Sequence, residues 1–337
     1  RELTRTAMSD LLGGVDPRGH AIADATDAAL LGALAIAGRE EAERWGSERA
    51  HVTFVAMGRY GGRECSYASD ADVIALHEPV GGASDSEAAA SATAIVNRVK
   101  KLLGSATSQL GIVVDLDLRP EGKNGPMSRT IASHEEYAQR WASTWERQAA
   151  VRARPIGSSD LDERARALFE SMAYREVSES EVRDIRLLKA RMENERLPRG
   201  SEPARHVKLG PGGLSDVEWT IQLIQMRHGR EVEGLRTPST TRAIAVARDA
   251  GLLAAPDAEI LLSAWDLATR IRAGNTLATG RMSGVKLDVL PRDSAELSAL
   301  AAILGYGSGG LTALEEDWLR AARQARNVME RAFWEQQ

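Results

Sequence analysis

Residues 52–76 read VTFVAMGRYGGRECSYASDADVIAL, and the order of segments in this stretch decides the fold. Val52, Thr53, Phe54 and Val55 are β-branched or aromatic, and Val73, Ile74, Ala75 and Leu76 form a second apolar run of strand length. The stretch therefore reads as strand, glycine turn, short loop, strand. In Gly58-Arg59-Tyr60-Gly61-Gly62, backbone without side chains lets amide N–H groups approach a phosphate closely. In Ser69-Asp70-Ala71-Asp72, carboxylates spaced i, i+2 at the start of a strand point to one face, because side chains alternate with period two. Like charges that close are unfavourable unless a cation lies between them, and carboxylate oxygens suit Mg²⁺ or Mn²⁺. The competing reading of the Asp-x-Asp pair alone is a surface turn with two solvated aspartates.

A later segment weighs against that reading. Gly111-Ile112-Val113-Val114-Asp115-Leu116-Asp117-Leu118-Arg119-Pro120 begins apolar and then alternates. As a strand it sets Asp115, Asp117 and Arg119 on one face and Val114, Leu116 and Leu118 on the other. Beside the Asp70 strand, that face brings a third carboxylate to the pair. Three aspartates holding two metal ions would suit a triphosphate and an in-line displacement. Pro120, Gly122, Gly125 and Pro126 then break the strand into a loop whose Lys123 can reach phosphate, while Arg119 and Lys123 read equally well as solvent-exposed.

Composition limits the alternatives. The chain has 337 residues, 43% hydrophobic and 27% charged, an ordinary globular composition with room for about two domains. Its net charge of −5 argues against a generic nucleic-acid binder. The single cysteine, Cys65, excludes an intrachain disulfide and fits a cytoplasmic protein. The longest apolar patches, such as residues 28–37, are expected to fall far short of a membrane span, and no targeting segment is read at the N-terminus. A first residue other than Met is expected of a fragment.

Helical periodicity fills the rest. Residues 22–45 read as a lead-in helix capped by Asp24 or Thr26 and ended by Gly46-Ser47. Residues 87–109 read as a helix with an Ile95, Val99, Leu102, Leu103 stripe, after an exposed loop at 78–86. Trp141 and Trp145, at i, i+4 on a helix over 133–149, read as a core pair. Around its end, Glu146, Arg147, Arg152 and Arg154 either face a nucleotide or pair with one another on a surface. A charged helix spans 179–196, ended by Pro198-Arg199-Gly200, and the long connection at 197–213 is of a length more often functional than filler. It leads into a helix running to Arg227 that Ser215 or Asp216 would cap. From Thr240 onward the pattern is helix after helix, with a flexible joint at 305–310. The six histidines are scattered, with no pair at zinc-ligand spacing.

The blocks MGRYGGRE, SYASDADVIAL, VDLDLRPEGKNGP, TWERQAAVRARP and KLGPGGLSDVEW occur in that order between Val52 and Trp219. Together they resemble the glutamine synthetase adenylyltransferase family, bifunctional bacterial enzymes with two similar nucleotidyltransferase halves. The resemblance implies an α+β nucleotidyltransferase fold of the DNA polymerase β superfamily with a mixed sheet, followed by an all-α helical bundle. On that plan 1–50 is a lead-in helical segment, 51–175 the catalytic domain and 176–337 the bundle. It also implies transfer of AMP from ATP to a tyrosine of glutamine synthetase, the other half removing it by phosphorolysis.

By the same resemblance, Asp70 and Asp72 match the paired metal-binding aspartates and Asp115 the third, as catalytic ligands of Mg²⁺ or Mn²⁺. Gly58, Gly61 and Gly62 match the turn around the triphosphate, with Arg59 where relatives often carry lysine. Ser69, Arg119 and Lys123 join them as nucleotide contacts, and Asp117, Glu146, Arg152, Asp216 and Glu218 are expected to position groups around them. The form of TWERQAAVRARP, and a chain that ends soon after its last helix, look more like the C-terminal adenylylating half, with the adenylyl-removing half outside this sequence. Glutamine synthetase is the expected protein substrate and a PII-type protein an expected regulator. Adenylyl removal, and a non-catalytic module that binds nucleotide or a regulator, are the alternatives. The third carboxylate weighs against a pure binder.

Overall fold

The computed structural model describes residues 2–16, 19–67, 69–104, 111–198, 200–307 and 309–335. It divides the chain into two compact units: Ala23–Arg63 with Ser69–Arg175, and Arg1–Ile22 with Glu64–Ala68 and Glu176–Gln337. The first holds a small mixed sheet with helices and the second is helical, so the fold is α+β followed by a helical region.

The chain begins with α1 (Glu2–Gly13) and α2 (His20–Trp45). In the sheet unit, β1 (Ala50–Ala56) leads into a single turn of helix, α3 (Gly58–Gly61), and then β2 (Ala71–Pro79). α4 (Asp85–Leu103), β3 (Val114–Asp115) and β4 (Ser128–Thr130) follow. After them come α5 (Ile131–Arg140), α6 (Thr144–Ala150), β5 (Arg154–Pro155) and α7 (Asp160–Ala173). β1 lies antiparallel between β2 and β5, while β3 and β4 run parallel along the other edge of β2. Phe54, Val55, Val73 and Leu76 are fully buried within it. Helix starts follow from Ser-x-x-acid boxes: Ser84 with Glu87, Ser159 with Asp162 and Ser178 with Glu181 each satisfy two amides the first turn would leave open.

Several expectations change in this unit. α2 starts at His20, so Asp24 and Thr26 lie inside it and do not cap it. At 26 residues it is also long and apolar enough to cross a membrane by length and composition, contrary to the expectation for the apolar patches. Here it is a packing helix: Ala23, Leu30, Ala33 and Ala37 are buried, and Asp24, Asp27 and Glu40 pair with Arg63, Arg154 and Arg98. The strand expected over 111–120 shrinks to Val114–Asp115, because Asp117 and Arg119 enter turns closed by Arg119 N to Leu116 O and Gly122 N to Arg119 O. Trp141 and Trp145 are 71% and 41% exposed and form no core pair. The helix breaks between them, α5 ending at Arg140 and α6 beginning at Thr144, so i, i+4 spacing no longer sets them on one face. The expected helix end at Gln109 lies outside the described residues.

The helical unit contains α8 (Glu179–Glu195), α9 (Leu214–His228), α10 (Thr240–Asp249), α11 (Ala255–Thr279), α12 (Ser294–Ile303) and α13 (Leu311–Met329). Its core joins Ile221, Ile244, Leu261, Trp265, Leu300 and Trp318. α9 is not capped by Ser215 or Asp216: its N-cap is Gly213, with no side-chain bond, and Asp216 stands at the third helical position. Asp216 is 1% exposed, accepts from Gly212 N (2.8 Å), and is ion-paired with Lys189 (2.6 Å) and Arg326 (3.2 Å). Lys189 is also 1% exposed, which the charged pattern of α8 conceals. Arg199 in the expected stop of α8 and Ser308 in the glycine joint lie outside the described residues, as does Gln337.

Candidate active site

Gly58 opens the turn that follows β1 with φ +54°, a conformation glycine adopts freely. A Cβ there would also lie 3.0 Å from Oδ2 of Asp72, so the turn and this carboxylate are in direct contact. Met57 N donates to Asp72 O at 2.9 Å, tying the end of β1 to the start of β2. Gly61 has a different reason: a Cβ would lie 1.8 Å from the Arg152 carbonyl oxygen and 2.8 Å from that of Ala56. Only a bare Cα lets these backbones approach. Gly62 closes the turn, its N–H donating to Gly58 O.

The turn is held from behind by the arginines of residues 152–154. Buried Arg152 donates Nε to Gly58 O (3.0 Å), and Arg154 donates to Gly61 O (3.1 Å) and pairs with Asp27 (2.8 Å). Tyr60 donates its hydroxyl to the same Asp27 (2.5 Å). The guanidinium groups of Arg152 and Arg154 thus hold two carbonyl oxygens of the turn by hydrogen bonds. Asp27 and Tyr60, which meet Arg154, were not found by local sequence reasoning, because the three lie far apart in the chain.

Asp70 precedes β2 and is exposed, while Asp72 is its second residue and half-buried. Parallel pairing of β2 with β3 sets Asp115 directly opposite Asp72. The two carboxylates of different segments are thus brought to the same end of the sheet as the glycine turn. Asp115 Oδ1 accepts from Asp117 N at 2.7 Å. Among the described residues no group of three or more His, Cys, Asp and Glu side chains stands close enough to hold a metal ion, so Asp70, Asp72 and Asp115 are neighbours that have not converged. All three offer hard carboxylate oxygens, the donor type that Mg²⁺ and Mn²⁺ take.

Arg119 departs from expectation. It is 8% exposed, and its nitrogens donate to the carbonyls of Leu116 (2.8 Å), Lys123 (3.1 Å) and Gly125 (3.2 Å). It is buried and not solvated, lies 3.8 Å from the Asp117 carboxylate, and shapes the loop that carries Lys123. Lys123 is extended into solvent, its ammonium 3.2 Å from Asp117. Asp117 sits in the turn and not on the strand face of Asp115. Arg59 lies within α3 and Ser69 immediately precedes Asp70, both half-buried. Glu146 accepts from Ser143 N (2.8 Å) and the Tyr137 hydroxyl (2.9 Å), and belongs to the capping box that starts α6. Arg147 is buried and donates to Met172 O (3.0 Å) and Arg175 O (3.2 Å).

Between Arg63 and Ser69 the chain contributes Glu64–Ala68 to the helical unit. Glu64 is 1% exposed and accepts from Thr240 N (2.6 Å), Thr240 Oγ1 (2.9 Å) and Ser239 Oγ (3.3 Å) at the start of α10. This buried carboxylate had not been singled out. Asp216 and half-buried Glu218 belong to α9 in the helical unit, Asp216 fully occupied by its ion pairs.

Comparisons with known proteins agree with this architecture. Residues 1–169 match the family model described as GlnE, glutamate-ammonia ligase adenylyltransferase, and residues 186–333 match one described as GlnD PII-uridylyltransferase. The chain is 43% identical to the bifunctional glutamine synthetase adenylyltransferase/adenylyl-removing enzyme of Streptomyces coelicolor, over 99% of this chain and 35% of that protein. It is 43% identical to the protein of the same name from Bifidobacterium longum subsp. infantis, over 99% of this chain and 32% of that one. The chain thus spans about a third of the length of these curated relatives. A glycine turn in contact with Asp72, Asp115 across the strand pair, and a family model matched over the whole of β1 to α6 lead to one conclusion: the chain belongs to the glutamate-ammonia ligase adenylyltransferase (GlnE) family.

Proposed function

We propose that this chain is the adenylylating half of its protein and moves AMP from ATP to a tyrosine of glutamine synthetase. The observation that carries the reading is the contact of Gly58 with the Asp72 carboxylate, with Asp115 opposite on β3. A phosphate chain lying against the α3 amides would meet these carboxylates at once. Asp70, Asp72 and Asp115 are the residues to hold divalent cations, which when bound would neutralise the triphosphate and acidify the attacking hydroxyl.

The chain's own groups do the rest. N–H groups of the α3 turn bind phosphate oxygens, Arg59 adds charge, and Ser69 and Lys123 close on the same ligand. Arg152 and Arg154 hold the Gly58 and Gly61 carbonyl oxygens by hydrogen bonds and so stiffen the turn. Arg119 fixes the loop from which Lys123 reaches. The tyrosine oxygen forms a bond to the α-phosphorus, the bond from that phosphorus to pyrophosphate breaks in line, and the phenol loses its proton. A PII-type protein as regulator belongs to the same reading, supported by the match of 186–333 to a model described by PII uridylylation. A cytoplasmic setting fits a glutamine synthetase substrate.

The test is mass spectrometry of glutamine synthetase incubated with this chain, ATP and Mg²⁺. Addition of one AMP to a tyrosine is expected, with a loss of about 100-fold or more in Asp72→Asn and Asp115→Asn. Near-normal modification by either variant would remove the assignment.

A further inference from the structure

The helical unit holds a cleft of about 520 Å³ between α13 and the connection that precedes α9. That volume lies in the range of small-molecule sites, roughly 300–1,000 Å³. One wall is Ala204 and Pro211; the other is a single stripe of α13 bearing Arg320, Arg323, Gln324, Arg326 and Asn327. The walls are fixed to each other. Trp318 Nε1 donates to Ala204 O (2.8 Å), and Gly212 lies so close to α13 that a Cβ would stand 1.8 Å from the Ala322 carbonyl.

The charge of the lining is one-sided, with arginines and no carboxylate. Arg326 is committed to Glu193, Asp216 and Glu330, and Arg320 to Asp317. Among the described residues Arg323 has no such partner and the side-chain amides of Gln324 and Asn327 make no hydrogen bond; all three are exposed. A guanidinium and two amides, which both donate and accept, therefore face an open cleft whose inner arginine is locked by a buried ion network. Such a set fits an oxyanion carrying further polar groups.

We propose that this cleft is a binding site for a small organic or inorganic anion, carboxylate or phosphate, separate from the glycine turn and the aspartates. Arg323 receives the oxyanion, and Gln324 and Asn327 read its polar substituents. The inference stands apart from the proposed adenylyl transfer, since none of these residues belongs to that machinery.

The test is isothermal titration of the full chain with citrate and with inorganic phosphate at ionic strength held constant by NaCl. It compares the unaltered protein with Arg323→Glu, Arg323→Ala and, as a control of equal charge change, Arg242→Glu, an exposed arginine of α10 outside the cleft. Saturable 1:1 binding of either anion is expected, weakened about tenfold or more by both Arg323 variants and little by Arg242→Glu. Citrate alone binding would assign a carboxylate ligand, phosphate alone a phosphorylated one. No saturable binding of either, or equal weakening by Arg242→Glu, would overturn the site.

Discussion

Replacing Gly58 by alanine separates the two roles of the glycine turn. The substitution places an L side chain at φ +54°, which costs about 1–2 kcal/mol of backbone strain. Its Cβ meets Asp72 Oδ2 at 3.0 Å, and because that atom is the far end of a side chain the carboxylate yields by a few tenths of an ångström. Stability should therefore fall only modestly, by about 2–8 °C in Tm at roughly 2–4 °C per kcal/mol. Transfer of AMP should fall much further, about 100-fold, since a displacement of up to about 1 Å in a reacting group has that effect. Gly58→Asn is the control: asparagine accepts a left-handed backbone, so it should recover part of the lost Tm while its Cβ still presses on Asp72. Thermal unfolding with label transfer from α-labelled ATP at a temperature where all three proteins are folded reads both effects. If Gly58→Asn restored transfer along with stability, contact with Asp72 would not be what the glycine protects.

Gly61→Ala should behave oppositely, because its Cβ strikes two backbone carbonyls at 1.8 and 2.8 Å; urea unfolding should show a loss of about 3 kcal/mol or more. Lys189→Met leaves Asp216 with Arg326 and Gly212 N only, and urea unfolding should show a loss of about 3 kcal/mol, smaller in Lys189→Met with Asp216→Leu because the carboxylate is then removed too. His134 is buried against Phe169 (ring centroids 5.2 Å apart), and burial, reinforced by Arg129, pushes its pKa down to about 4 from 6.5. The unfolded chain then binds a proton that the folded one refuses as pH falls from about 6.5 to 4, so stability drops across that window, by about 2 kcal/mol between pH 7 and 5. Urea midpoints of His134→Phe should lack that part of the slope.

The strands at 50–56 and 71–79 and the turn between them were readable because each rests on local pattern: β-branched runs, and glycines where backbone must pass close to backbone. The partnership of Asp72 with Asp115 followed from alternation once two strands were placed side by side. The burial of Arg119 was not legible, because its partners are carbonyl oxygens of its own loop, which no residue type announces. Trp141 and Trp145 kept helical spacing across a helix break, so periodicity pointed to a shared face that does not exist. Lys189, Asp216 and Glu64 are buried charges with partners that lie 27, 110 and 176 residues away in the chain, which no local pattern announces. The metal and nucleotide assignments rest on local motifs, whereas the groups that hold those motifs in place come from long-range contacts.

The most direct test of adenylyl transfer uses two tubes: this chain with Mg²⁺, α-labelled ATP and unmodified glutamine synthetase, and this chain with adenylylated synthetase and phosphate. The account predicts label on the synthetase in the first, lost in Asp70→Asn and Asp72→Asn, and no release of ADP in the second. Release of ADP in the second with no label in the first would contradict it and assign the opposite activity to this half.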